Sequence, residues 1–228
     1  MNFGQTVGMI EQLLSVFLES RCPFCQRTAA TTICEYCGKK LLAHQFQPSD
    51  RLNSWNNLAV FAWGKYDGQL KRAIALMKYN NKPELGKYLG KLLGEVWLNS
   101  ELIKFQHKVT VIPIPLHRKK LKDRGFNQAE IIAKGFCQVT GYSLESKALI
   151  RVRNTKAMFD LSPEERSENL QGAFSIGNKL PKDPVLLVDD IYTMGTTVKE
   201  STTVLRQHKI KVIGVAVAAK TSSNTLSL

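Results

Sequence analysis

The sequence predicts an α/β protein: an open, mainly parallel sheet flanked by helices, behind a small N-terminal lobe built on four cysteines. Three observations predict it. Apolar segments of strand length at 58–63, 109–115, 144–152, 184–188 and 212–219 are separated by stretches of helical periodicity, the pattern of a sheet whose strands are joined through helices. The run Pro184-Val185-Leu186-Leu187-Val188 has no polar residue before Asp189, as expected of a central strand buried on both faces. Finally, Cys22-Pro-Phe-Cys25 and Cys34-Glu-Tyr-Cys37 form two CxxC pairs, a spacing that lets two tight turns present four thiolates tetrahedrally to zinc. The organisation is therefore two units, 1–44 with an N-terminal helix and the cysteine lobe, and 45–228 with the sheet.

Composition bounds the function. A chain of 228 residues with 43% hydrophobic and 22% charged residues can bury one sizeable core and a small appendage. No apolar run approaches the roughly 20 residues of a membrane span. The N-terminus lacks a basic region and Glu11 interrupts its apolar stretch, which argues against a secretory signal and for a cytoplasmic protein. Cysteines held in CxxC pairs then point to metal rather than disulfides. A formal net charge of +13 favours polyanionic partners, whether nucleic acid, phosphorylated metabolite or membrane surface.

In chain order, Val7, Ile10, Leu13, Leu14, Phe17 and Leu18 mark an amphipathic helix. Within the cysteine lobe, Gly38 is placed to ease the second knuckle, all four ligand positions are filled by protein, and the zinc is structural. His44, just outside, reads as a surface residue. Residues 45–57 read as a polar linker. After the strand at 58–63, a helix follows Asp67 with Leu70, Ala73, Ile74 and Met77 on one face, and Asn80 to Pro83 break it. The next helix carries Leu85, Leu89, Leu92, Leu93, Val96 and Trp97, with Gly86, Gly90 and Gly94 four apart, spaced for close packing against another helix. A strand at 109–115 opens into a basic loop, 116–127. Asn127 and Glu130 suggest a capping box for a helix ended by Gly141. Residues 144–152 read as a second core strand. Ser162-Pro163-Glu164-Glu165 starts a short helix that Gly172 ends, closing a polar excursion that suits a lid. Aromatics Trp55, Phe61, Trp63, Tyr66 and Tyr79 are candidates for base stacking or, more simply, for core packing.

Two stretches carry chemistry. The strand at 184–188 meets Asp189 and Asp190, then the loop Thr193-Met194-Gly195-Thr196-Thr197, then a helical pattern. Ligands of open α/β sheets sit at the carboxyl ends of strands. Backbone N–H groups, hydroxyls and a helix N-terminus make an anion cradle there, and two adjacent carboxylates suit hydroxyls. Together they fit a phosphorylated ribose with a divalent cation. The second stretch is the basic loop, in which Arg118, Lys119 and Arg124 are the candidate anion contacts.

The Asp-Asp loop resembles the phosphoribosyl pyrophosphate (PRPP) motif of type I phosphoribosyltransferases. That resemblance implies that Asp189 and Asp190 hold the ribose hydroxyls, and that Thr193, Met194, Gly195, Thr196 and Thr197 hold the 5′-phosphate. The basic loop with Arg118, Lys119 and Arg124 would then contact pyrophosphate. Met194 departs from the family, which often has threonine there. Four features in order are similar to the ComF family of competence-associated proteins: the CxxC knuckles, Pro113-Ile-Pro-Leu-His-Arg118 with Arg124-Gly-Phe-Asn-Gln-Ala129, Ser162, Arg166 and Asn169 before Gly172-Ala173-Phe174, and Leu187-Val-Asp-Asp-Ile-Tyr-Thr193. The resemblance implies a type I phosphoribosyltransferase fold with an N-terminal zinc ribbon (Cys22, Cys25, Cys34, Cys37), PRPP and Mg2+ as ligands, and a role in DNA uptake. As an enzyme, the protein would use Asp189, Asp190, Arg118 and Arg124 catalytically, with Lys119 on the ligand. Purine-salvage relatives commonly carry a carboxylate where Thr193 stands, so the acceptor is not read from this loop. The alternative is a non-catalytic PRPP sensor that binds single-stranded DNA and docks a competence helicase or an inner-membrane uptake complex.

Overall fold

The computed structural model describes residues 21–55, 58–100, 108–154 and 170–221. The N-terminal helix, the capped helix at 162–171 with its lid and the tail after 221 therefore lie largely or wholly outside the described residues. Those described divide into two compact units, one ending at Ala43 and one starting at His44.

In the first unit, an antiparallel bridge between Arg21 and Thr28 closes the turn that carries Cys22 and Cys25. Cys22 N–H donates to the Arg27 carbonyl and Gln26 N–H to the Cys22 carbonyl. Gln26 takes the left-handed conformation, φ 62°. Cys34 is the N-cap of helix α1, Glu35–Leu42, which carries Cys37. Gly38 is therefore an ordinary helical residue, its N–H bonded to the Cys34 carbonyl, and not the turn-maker expected. Phe24, Ile33 and Leu41 fill the small core beside Cys22 and Cys37.

The second unit is built on a six-stranded sheet of β1 (Leu52–Trp55), β2 (Leu58–Lys65), β3 (Thr110–Pro113), β4 (Ser143–Leu144), β7 (Val185–Tyr192) and β8 (Val212–Lys220), in the order β1-β2-β8-β7-β3-β4. Only the β1–β2 pairing in it is antiparallel. Its helices are α2 (Gly68–Tyr79), α3 (Pro83–Leu98), α4 (Arg118–Arg124), α5 (Gln128–Thr140) and α6 (Thr196–Gln207). The connection β3-α5-β4 steps outward in one direction and β7-α6-β8 in the other. The order thus reverses between β3 and β7, and the crevice beyond their carboxyl ends is where such sheets bind ligands.

Helices cover both faces. Val198 and Leu205 of α6 share a core cluster with Val60, Leu187, Val215 and Val217. On the opposite face Phe61 meets Trp97 of α3 edge-on at 5.1 Å, and Trp97 meets Phe136 of α5 at 5.9 Å. The α3 glycines do what their spacing predicts: a Cβ on Gly90 would lie 2.1 Å from the Ile132 carbonyl oxygen, and one on Gly135 would lie 2.2 Å from that of Lys87. The two helices therefore touch backbone to backbone. No described helix is long and apolar enough to cross a membrane.

Four expectations change. The 45–57 linker contains a short 3-10 turn, Pro48–Asp50, and edge strand β1, which pairs through Leu52↔Phe61 because alternate residues can turn outward at a sheet edge. The second core strand at 144–152 is split. Its start is the two-residue edge strand β4. Its end is β5 (Leu149–Arg151), which leaves the main sheet to pair antiparallel with β6 (Phe174–Ile176). The basic loop folds into helix α4: His117 caps it by accepting from Lys119 N–H, and Gly125 ends it at φ 84°. Of the capping box, only the Asn127 half forms, its side chain accepting from Ala129 N–H, while Glu130 pairs with Lys134 at 2.8 Å.

Candidate functional site

A cavity of about 410 Å³ lies at the reversal point, within the range of small-molecule sites. Tyr66, Lys78 and Tyr79 line one side, Ile114 to Leu116 and Gln128 another, and Asp189 to Thr193 with Gly195 to Val198 the floor and loop; Arg151 completes it.

Because side chains alternate along a strand, Asp189 and Asp190 leave β7 toward opposite faces. Asp190 is 5% exposed and its Oδ2 lies 2.6 Å from Lys78 Nζ, whose side chain is itself only 17% exposed. Burial lowers the Lys78 ammonium's pKa, but the charge and hydrogen bond of Asp190, with Asp189 beyond, outweigh it and hold the pKa above the usual lysine value. Asp189 accepts the Asp190 N–H on Oδ1 at 2.8 Å. Burial first, and the Asp190 charge second, raise its carboxyl well above the ordinary carboxylate range. The acidic pair thus arrives with an internal cation.

The loop after β7 is shaped by Gly195, the N-cap of α6, at φ 74°. No side chain caps that helix, so its first-turn N–H groups have no side-chain acceptor and point to where an anion would bind. Gly195 also packs on Tyr192: an added Cβ would lie 2.3 Å from Tyr192 Oη. The Tyr192 ring is 6% exposed, and its hydroxyl, among the described residues, has no partner. Thr193, Thr196 and Thr197 line the cavity as expected; Met194, 43% exposed, does not.

The basic side differs from the expectation in detail. Arg118 and Lys119 are exposed on the first turn of α4 and do not line the cavity. Arg124 reaches its rim indirectly, through a hydrogen bond to Gln128 and a guanidinium 6.0 Å from the Tyr79 ring centre. Besides Arg124, the half-buried cation of α4 is Lys120, whose pKa is lowered by burial and then by the charges of Arg151 and Arg124. Lys120 thus lies within electrostatic reach of Arg124 and of Arg151, and Arg151 lines the cavity. Arg151 is lowered by burial and raised by Asp189, so it faces the acidic pair from the small β5–β6 sheet.

Sequence reasoning missed Lys78 and Arg151. Lys78 reads as a polar-face residue of α2, and Arg151 as part of a core strand; only the folded topology brings them to the Asp pair. Of the aromatics, Phe61 and Trp63 are fully buried, whereas Tyr79 is 76% exposed at the rim. His44 is an acceptor rather than a plain surface residue, its Nε2 receiving the Gln69 N–H at 3.1 Å and so capping α2.

In the first unit, the four Sγ atoms of Cys22, Cys25, Cys34 and Cys37 all lie within 4.8 Å of one another. Cys25 and Cys34 are closest, at 3.5 Å. Tetrahedral zinc with bonds of about 2.3 Å sets its sulfurs about 3.8 Å apart, so the donor set fits a structural zinc. Burial pushes the Cys22 thiol up, but backbone donors from Cys34, Cys25 and Phe24 outweigh it and bring the thiol to about 6. Burial and the neighbouring sulfurs push Cys37 the other way.

No protein-family model matches the chain. It is 28% identical to Competence protein F of Haemophilus influenzae over 86% of this chain and 89% of that protein. It is also 28% identical to the DNA utilization protein YhgH of Escherichia coli K12, over 78% and 81%, and to Competence protein ComFC of Streptococcus pneumoniae, over 79% and 71%. Among solved structures it is similar to a hypoxanthine phosphoribosyltransferase from Staphylococcus aureus, with 15% identity, a TM-score of 0.39, and coverage of 60% of this chain and 64% of that one. The chain is thus a homologue, over most of its length, of proteins named Competence protein F, ComFC and YhgH, and it carries four clustered cysteines and a mainly parallel sheet.

Proposed function

We propose that the cavity binds PRPP, carried in with magnesium, and that the protein is a cytoplasmic phosphoribosyltransferase-like component of natural DNA uptake. The observation that supports this reading best is the joint lining of one cavity by Asp189, Asp190 and the Thr193–Thr197 loop at the point where strand order reverses. The loop and the α6 N-terminus would take the 5′-phosphate, the acidic pair the ribose hydroxyls, and the cations Lys120, Arg124 and Arg151 the pyrophosphate. Magnesium commonly enters such sites on ligand phosphates, keeping several waters. That suits an acidic pair whose Asp190 is already engaged by Lys78. When bound, the ion would neutralise pyrophosphate oxygens. The chain's own part in glycosyl transfer would be to orient C1 of the ribose and to stabilise the leaving charge with those cations. The uptake role rests on the names of the relatives.

A second reading keeps PRPP as a bound signal and uses the basic surface for single-stranded DNA, with a helicase or inner-membrane uptake complex as partner. The +13 charge and the exposed Tyr79 beneath Arg124 favour it.

One experiment separates them. Protein, Mg2+ and PRPP are incubated with a panel of nitrogenous acceptors while pyrophosphate release is followed. Acceptor-dependent release that is lost in Asp189→Asn/Asp190→Asn supports the enzyme. Tight PRPP binding without release supports the sensor, and no PRPP binding sinks both.

A further inference from the structure

Lys78 belongs to none of the sequence motifs, yet it is paired with Asp190 at 2.6 Å. It sits in the last turn of α2, where a lysine ordinarily extends into water near the negative end of the helix dipole. Here the side chain instead folds inward onto Asp190, and both residues line the cavity. A buried ion pair seldom repays its desolvation as a stabilising device, so its retention at a cavity wall calls for a reason in binding.

An ammonium has three donors, and a carboxylate accepts about four hydrogen bonds. In the described site Lys78 gives Asp190 one contact, at 2.6 Å. A single hydroxyl placed against both groups would accept from Lys78 and donate to Asp190, using one lone pair and its proton at once. An anion would meet the Lys78 donor but be repelled by Asp190. A second cation would meet the reverse. Neutral hydroxyl is the chemistry that fits the pair as it stands.

We propose that Lys78 and Asp190 form a donor–acceptor clamp on one ring hydroxyl of a sugar phosphate, making Lys78 the residue that separates ribose from deoxyribose in this site. This rests on the phosphorylated-ribose reading of the cavity. Sites built to hydrogen-bond a hydroxyl reject the analogue that lacks it strongly, because their buried polar groups are left without a partner. Lys78 is therefore a specificity residue, and Asp189, with its raised carboxyl pKa and its Oδ1 held by a backbone N–H, is left to the neighbouring hydroxyl.

The test is calorimetric titration of the full chain with ribose 5-phosphate and its 2-deoxy and 3-deoxy analogues, in wild type and Lys78→Met. Wild type is expected to bind ribose 5-phosphate at least about ten-fold more tightly than one of the two deoxy analogues, and Lys78→Met to close that gap. Should Lys78→Met fail to fold, Lys78→Met/Asp190→Leu removes donor and acceptor together without leaving a buried charge unpaired, and the gap is expected to close likewise. Equal wild-type affinity for all three esters overturns the clamp but leaves sugar-phosphate binding standing. A gap that survives in both variants, or an equal fall for all three ligands, overturns Lys78's role. Failure of every ester, and of PRPP itself, to bind wild type removes the parent reading and the clamp with it.

Discussion

Gly195→Ala is the most direct probe of the anion loop. Two costs are legible. The residue sits at φ 74°, and an L side chain in that left-handed region costs about 1–2 kcal/mol. The new methyl would also lie 2.3 Å from Tyr192 Oη and 2.8 Å from Cζ; forcing a buried ring aside costs about 1–3 kcal/mol. The sum is about 2–5 kcal/mol, a large share of the roughly 5–15 kcal/mol that holds a domain together. Tyr192→Phe alone should be neutral or slightly stabilising, because its buried hydroxyl has no described partner to lose. In that background the closest clash is gone, so Gly195→Ala should cost about 1 kcal/mol less, while the backbone part remains. Equilibrium urea unfolding, followed by the fluorescence of the buried Trp63 and Trp97, measures all four corners of the cycle. A Gly195→Ala protein within about 0.5 kcal/mol of wild type, or strict additivity with Tyr192→Phe, would refute the packing argument. Tyr192→Phe has a second use. If its hydroxyl donates to the bound phosphate, ligand affinity falls several-fold although stability does not.

Three further outcomes follow from the same structure. Gly90→Ala should destabilise by about 1–3 kcal/mol in urea unfolding, despite alanine's better helix propensity, and Gly135→Ala should add little once the helices have parted; a stabilised Gly90→Ala protein contradicts the contact. A strong chelator, or Cys25→Ala, should release one zinc per chain by atomic absorption and unfold the cysteine lobe while urea unfolding of the sheet domain is unchanged. The Glu145 carboxyl is held below its usual range mainly by a hydrogen bond from Lys179, so its contribution is complete above the ordinary carboxylate pKa and fades as pH falls through the lowered one. Lys179 is 74% exposed, so Lys179→Met should remove less than about 1 kcal/mol, seen as a flattened acid limb in a stability–pH profile.

Much of this architecture was legible because it depends on local chemistry. Asp67, Asn127 and Gly141 punctuate helices by side-chain size and hydrogen bonding alone, and an unbroken apolar run reads as a central strand whatever its neighbours are. The 144–152 segment failed for the opposite reason. Its composition suits a strand, and a strand forms at each end, but Leu149–Arg151 finds its partner in Phe174–Ile176 rather than in the main sheet. Pairing choice is a non-local property. The basic stretch was read as a loop whose cations face the ligand, and it folds as helix α4. Alternation between Lys119 and Lys120 on a helix decides which cation turns inward, and a loop has no such periodicity.

The same distinction governs the site. Adjacent aspartates announce themselves in sequence, but what they can bind depends on who neutralises them. Lys78 lies far from Asp190 along the chain and meets it only in the fold, from the last turn of α2; Arg151 lines the same cavity from β5, outside the main sheet. A pair with no internal cation would favour a divalent ion directly. This pair has Lys78 at 2.6 Å from one member, while burial and the neighbouring carboxylate raise the other's carboxyl pKa; on the proposed function it would serve hydroxyls. Of the other cations, Arg151 lines the cavity, Arg124 bonds Gln128 in its wall, and Lys120 stands half-buried on the same helix as Arg124. On the proposed function, the acidic pair would form a hydroxyl-binding wall and these cations an anion-binding one, and a ligand carrying both groups in one molecule would satisfy the site.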